Sequence, residues 1–315
     1  MDGTQATASE LASVEATLRD ALARGDAVLS AAAPTLRRLL ASEDRGLHSD
    51  EVVARVRGML ADLARQLLEA RAAVAGASAA AASDRDGLIG ALADDEALLG
   101  HLQALALEGC LADRLEARAG IDPVLSPLLE DLIVAGDEVL ATAAISAITA
   151  QASFVQQQRG MTLPLGELPG ELFHSALFAL RRTAGDDESA DAAEAELRRA
   201  FDESSGRLGL LSRLVMRTGS NGPGALDVER AGLALFATAL AIAAGQDRAV
   251  TVRSFSERQS TRFALALRAA GLTQAAVETQ FLVLHPEASP PRSLAGLRAD
   301  RATALLAAAD SGRDR

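Results

Sequence analysis

The chain has 315 residues, 49% hydrophobic and 23% charged, with a formal net charge of −12, a balance typical of globular proteins and unfavourable for binding phosphate backbones or anionic membranes. Aromatics reach only 3%, with no Trp or Tyr, and all 31 basic residues are arginine. Without lysine there can be no GxxxxGK[ST] phosphate loop, kinase-type lysine or Schiff base.

From residue 9 the segment SELASVEATLRDALARG sets Leu11, Val14, Leu18 and Leu22 at helical spacing, with Ser9 as N-cap and Gly25 after the last turn. A second helical stretch at 26–44 contains Pro34, where a break or fresh start is expected. His48, Ser49, Asp50 and Glu51 open a strong helix. Its inward stripe is Val53, Val56, Leu60, Leu63 and Leu67, with Arg55, Arg57, Asp62 and Arg65 between. Residues 76–87, GASAAAASDRDG, lack any large apolar side chain and mark a candidate boundary.

A short helix is predicted over 87–93 and a long one over 95–119, with Leu98, Leu102, Leu105 and Leu111 inward and Gly120 as the stop. Asp122 and Pro123 then read as N-cap and first helical residue of an antiparallel pair turning at Gly136 and Asp137. MTLPLGELPG, 161–170, is a punctuated loop from which Pro169 starts the next helix. A helical run from Gly185 and Asp186 to Ala200 breaks near 204–206 and resumes through Leu214, and SNGPG, 220–224, is a loop. The most apolar run, AGLALFATALAIAAG at 231–245, is shorter than the ~20 residues a membrane span needs and is expected to be buried on all sides. Helices at 257–270 and 273–284 follow. PEASPPRS then sets off a last amphipathic helix, 294–308, and the end SGRDR should fray.

Ala, Leu, Arg and Glu favour helix, while strand-forming residues are sparse, so the expected fold is all-α: stacked antiparallel helical hairpins in an irregular solenoid or bundle. Three segments are drawn: an N-terminal helical subdomain at 1–75, a main hairpin domain at 88–288 and a C-terminal helix with tail at 293–315. Residues 128–148, LLEDLIVAGDEVLATAAISAI, resemble one HEAT-type hairpin: a leucine-rich first helix, an acidic turn, then Val and alternating alanines. Asp227, Val228, Glu229, Arg230 and Ala231 echo the start of such a second helix. HEAT units stack at about 40 residues, and the two echoes here follow no regular period. The resemblance implies a stacked-hairpin scaffold that binds other proteins.

The candidate chemistry is sparse. Neither GxGxxG nor GxSxG occurs, and one Cys cannot build a thiolate zinc site. Glu171 and His174 form a single ExxH, of which di-iron bundles need two. The alternative role for this glutamate is to complement a helix dipole. Asp186, Asp187 and Asp191 fit an aspartate-rich pattern that could hold Mg²⁺ against a diphosphate, yet they also fit a helix N-terminus. Residues 266–282 resemble a helix-turn-helix, with Gly271 in the turn, Thr273 opening the second helix and Val277 inward. That second helix carries Glu278 and no Arg. His48, His101 and His285 are scattered, and Cys110 is expected to pack in apolar surroundings. Gln151, Gln156, Gln157, Gln158 and Arg159 make a polar helix end, read either as solvated or as a partner-binding edge.

No catalytic, cofactor-binding or metal residue is assigned, and no cofactor is expected. The polar N-terminus MDGTQATASE and the lone Cys fit a cytoplasmic protein, and the Arg-for-Lys bias looks like a high-GC bacterial genome. The expectation is a non-catalytic scaffold or regulatory protein with protein partners, no nucleic acid, no membrane and a possible homo-oligomeric state. The alternatives are a Mg-dependent helical-bundle enzyme of isoprenoid-synthase type and a helix-turn-helix regulator.

Overall fold

A computed structural model describes residues 2–41, 50–76, 82–185, 187–220, 222, 224–288, 294 and 296–313. Among them the protein is all-α, with fourteen α-helices, three short 3-10 turns and no strand. In chain order these are α1 Asp2–Ala41, α2 Asp50–Ala75, α3 Ala82–Ala93, α4 Glu96–Ala119, α5 Pro127–Val134, α6 Glu138–Gly160 and α7 Gly170–Ala184. They continue with α8 Glu188–Ala200, α9 Arg207–Thr218, α10 Val228–Ala244, α11 Arg248–Ser254, α12 Ser260–Ala269, α13 Gln274–Leu284 and α14 Ala299–Arg313. His48 and parts of the 76–87, 186, 220–224 and 286–293 stretches lie outside the described residues.

Many boundaries follow the caps. Asp95 accepts from Ala97 and Leu98 N–H to open α4, and Gly120, at φ 67°, closes it. Asp137 does the same for α6 after a turn at Gly136. Thr273 caps α13. Each satisfies backbone groups that a helix end leaves unpaired.

Four sequence expectations need correction. First, α1 starts at Asp2, so Ser9 lies inside the helix rather than capping it, and it runs unbroken through Gly25 and Pro34. Leu18, Leu22, Leu29, Ala32, Ala33 and Leu36 are buried in succession across both positions, and that burial outweighs the ~3 kcal/mol a mid-helix proline costs. The carbonyl Pro34 cannot serve is that of Ser30, which is exposed, so water can take its place. Second, Asp122 does not open a helix. It folds a turn by accepting from Val124 and Leu125 N–H, and α5 starts five residues later, at Pro127. Third, α11 was not foreseen, because Val250, Thr251 and Val252 are three consecutive β-branched residues of low helix propensity. Asp247 caps it. Fourth, the last helix begins at Ala299 rather than 294, after Gly296 turns the chain at φ 84°, and continues to Arg313.

The chain divides into two units: 1–32 with 126–128 and 215–315, and 33–125 with 129–214. This division cuts across the 1–75, 88–288 and 293–315 segments.

In the first unit, residues 231–241 of α10 are buried on every side, as the composition of 231–245 predicts, whereas Ile242 and Gly245 at its end are exposed. Gly232, at φ 71° and ψ 161°, kinks the helix in a region open only to glycine. Around it Phe236, Phe255, Phe263 and Phe281 form a chain of ring contacts at 5.2–6.4 Å between centroids.

In the second unit the core is leucine-rich. Val56, Leu60, Leu63 and Leu67 of α2 meet Leu88 and Leu92 of α3, Leu98 and Leu102 of α4, and Phe173 and Leu177 of α7. The 161–169 loop belongs to this core. Leu163, Leu165 and Leu168 are buried, and the loop is tied to α2 by Leu163 N–H donating to Asp62 (3.0 Å) and Leu165 N–H to Gln66 (2.9 Å).

Candidate interaction surface

The residues that suggested chemistry are mostly occupied with structural tasks. Glu171 and His174 are exposed in the first turns of α7. Asp187 is the N-cap of α8, accepting from Ser189 N–H at 2.9 Å, and hydrogen bonding from Ser189, its side chain first and its backbone N–H second, holds the carboxyl below the usual range. Asp191 pairs with Arg181 at 2.7 Å. Asp186 lies outside the described residues. Among those residues no three His, Cys, Asp or Glu side chains gather to hold a metal ion.

The helix-turn-helix stretch becomes α12, a turn at Gly271 (φ 90°) and α13, with Val277 fully buried. The exposed positions of α13 are Ala275, Glu278, Thr279 and Leu282, none of them cationic. Gln280 turns inward and accepts from Val228 N–H at the start of α10 (2.9 Å). His101 is buried in α4, and His285 packs against Phe281 (5.1 Å) and Phe263 (5.9 Å). Cys110 is buried as expected, and desolvation pushes its thiol up to about 11 despite the nearby Arg55.

The glutamine-rich end of α6 differs from both sequence readings. Gln156 and Arg159 are exposed, but Gln151 and Gln158 are buried. They continue the seam Ala144, Ala147, Gln151, Phe154, Gln158, a 3-4-3-4 spacing that keeps one face of the helix turned inward. That spacing was the available signal, and residue polarity masked it. Gln151 donates to Pro123 carbonyl (2.8 Å) and accepts from Arg207 (2.9 Å). Arg207 is only 2% exposed, forks onto the equally buried Glu108 (2.8 and 3.1 Å), and lies 3.7 Å from the Phe154 ring. Gln158 donates to Met59 sulfur at 3.5 Å. Arg55, expected on the polar side of α2, is buried and bridges Glu51 and Asp113 at 2.7 Å each.

The opposite face of α6 is unlike the rest of this charged chain. From Val139 to Gln158 there is no charged residue. The exposed positions are Val139, Thr142, Ile145, Thr149, Ser153 and Gln156, one stripe at helical spacing. Val139 is 55% and Ile145 52% exposed, and Val134, at the end of α5, is 80% exposed. Single exposed apolar residues are ordinary, but Val134, Val139 and Ile145 fall within twelve residues, and beyond the acidic turn at Asp137 and Glu138 the α6 face carries no charge, so its apolar members form a patch. Thr142, Thr149 and Ser153 donate their hydroxyls to the carbonyls four residues back, at 2.8–3.0 Å. Their protons are thus already satisfied, which reduces what the face loses when water is removed.

By length and composition α6 is also the one unbent helix among the described residues apolar enough to cross a membrane. Its other face carries the buried Gln151, hydrogen-bonded within the protein. No protein-family model, curated protein or solved structure matches the chain.

Proposed function

We propose that this protein is a non-catalytic helical scaffold acting through protein–protein contact, and that the outer face of the α5–α6 hairpin is its contact surface. The all-helical architecture is compatible with a helical repeat of HEAT-like hairpins, in which exposed helix faces bind partners. The observation carrying this reading is the uncharged α6 stripe with its internally satisfied hydroxyls. Such a face is inexpensive to dehydrate, and it suits a partner presenting an apolar helix face of its own. The Arg207–Glu108–Gln151 cluster behind it holds α6 in place, so the surface is preorganised.

The test is quantitative affinity capture from the native cell with the wild type and Ile145→Glu, with metal analysis and vesicle flotation on the same preparation. The reading predicts a defined protein retained by the wild type and lost by the variant. Equal capture by both, flotation with neutral lipid vesicles, or stoichiometric bound metal would overturn it.

A further inference from the structure

The first unit contains a second feature, a groove between α1 and α14 with a volume of about 480 Å³, within the size range of small-molecule sites. Leu22 and Leu305 are buried at its base, and Ala23, Ala27, Ala308 and Ala309 border it. The space exists because these residues are too small to fill it.

Two ion-pair networks flank the groove, one at its Arg19 end and one around Asp26, with the lining continuing one further turn to Ser30. At one end Glu15 is shared by Arg19 (2.8 Å) and by both Nε and Nη2 of Arg301 (2.8 and 2.7 Å). The Arg301 bond holds the Glu15 carboxyl below its usual range. Around Asp26 the buried Arg262 of α12 bridges Asp26 (2.6 Å) and Asp310 (3.0 Å), and Gln246 joins it at 2.7 Å. Glu15 opposite Arg301 and Asp26 opposite Asp310 make the two helices run in the same direction.

The two networks carry opposite charge: two arginines and one carboxylate against two carboxylates and one arginine. Three groove-lining groups retain unused hydrogen-bonding capacity among the described residues. Arg19 uses one N–H, Asp26 uses only Oδ1, and the Ser30 hydroxyl takes no partner. Arg19 and Asp26 are seven residues apart on α1, about 10 Å along its axis.

We propose that this groove binds an elongated small ampholyte: an anionic group at Arg19, an alkyl segment over Leu22 and Leu305, and a cationic group at the free oxygen of Asp26. Arg19 and Asp26, of opposite charge and separated along an apolar floor, select for a molecule with charge at both ends. A fatty acid or an alkylamine alone leaves one network unpartnered.

The test is calorimetric titration of the full chain with 8-aminooctanoate, whose extended length matches the spacing, beside octanoate and octylamine. Two exposed wall residues supply the variants, Ala27→Leu and Ala308→Leu, each of which fills the slot from one side. The expected result is saturable binding of 8-aminooctanoate, at least about tenfold tighter than either single-headed compound, and lost in both variants with unchanged melting temperature. No saturable binding to the wild type, equal binding of octanoate or octylamine, or binding undiminished in both variants would overturn the proposal.

Discussion

Arg207 illustrates how much one side chain can organise. Its guanidinium is withdrawn from water, paired with Glu108, bonded to Gln151 and stacked on Phe154. Removing one partner leaves a buried charge uncompensated, so Glu108→Ala should destabilise the protein by about 3–5 kcal/mol in urea denaturation. The double replacement Glu108→Leu with Arg207→Met should recover most of that loss. If Glu108→Ala costs less than about 1 kcal/mol, the pair is not the hub described.

Cys110 gives a pH signature. Its thiol is raised by burial to about 11 from an ordinary value of 9.0. The unfolded chain therefore releases this proton first, and unfolding is increasingly favoured as pH rises from about 9 to about 11. The loss is on the order of 2 kcal/mol and should vanish in Cys110→Ala. Denaturation midpoints of the two proteins at pH 8 and pH 10.5 measure it, and parallel behaviour would contradict the burial argument.

At the scale of elements, α2 and the end of α6 meet where glycine permits it. A Cβ on Gly58 would lie 2.5 Å from Met161 Cβ and 2.7 Å from the Met161 carbonyl oxygen. Met161 itself holds the left-handed conformation that closes α6 (φ 53°). Gly58→Ala, which in an open helix would gain about 1 kcal/mol, should here cost about 1–3 kcal/mol by overpacking. Thermal unfolding of the variant decides the sign.

Elements with local capping signals were legible in sequence: Asp95, Gly120, Asp137 and Thr273 mark their helix ends where the structure has them. What failed depended on distant residues. Pro34 and Gly25 look like breaks until the buried stripe beneath them is known. Arg207 and Glu108 are 99 positions apart, so nothing local announces that either is buried. The same holds for Gln151 and Gln158, whose polarity conceals their place in a packed seam. The uncharged outer stripe of α6 was present in the sequence, but which of its faces met solvent was not.

For the whole molecule, the two units divide the tasks. One carries the phenylalanine chain and the charged groove, the other the leucine core and α6. Chemistry that requires lysine or tyrosine is excluded by composition, and of the residues that suggested an enzyme Asp187 is a helix cap, Asp191 pairs with Arg181, and Glu171 and His174 are exposed. What remains prominent is a helix face that is uncharged, exposed and held from behind.

The most direct measurement is photo-crosslinking in the native cell from a benzoylphenylalanine placed at residue 145, with a control at the buried position 147. A scaffold using this face predicts one defined protein adduct from 145, none from 147, and loss of the adduct when Val139→Glu is added. Lipid adducts alone, no adduct, or a protein adduct indifferent to Val139→Glu would contradict the account.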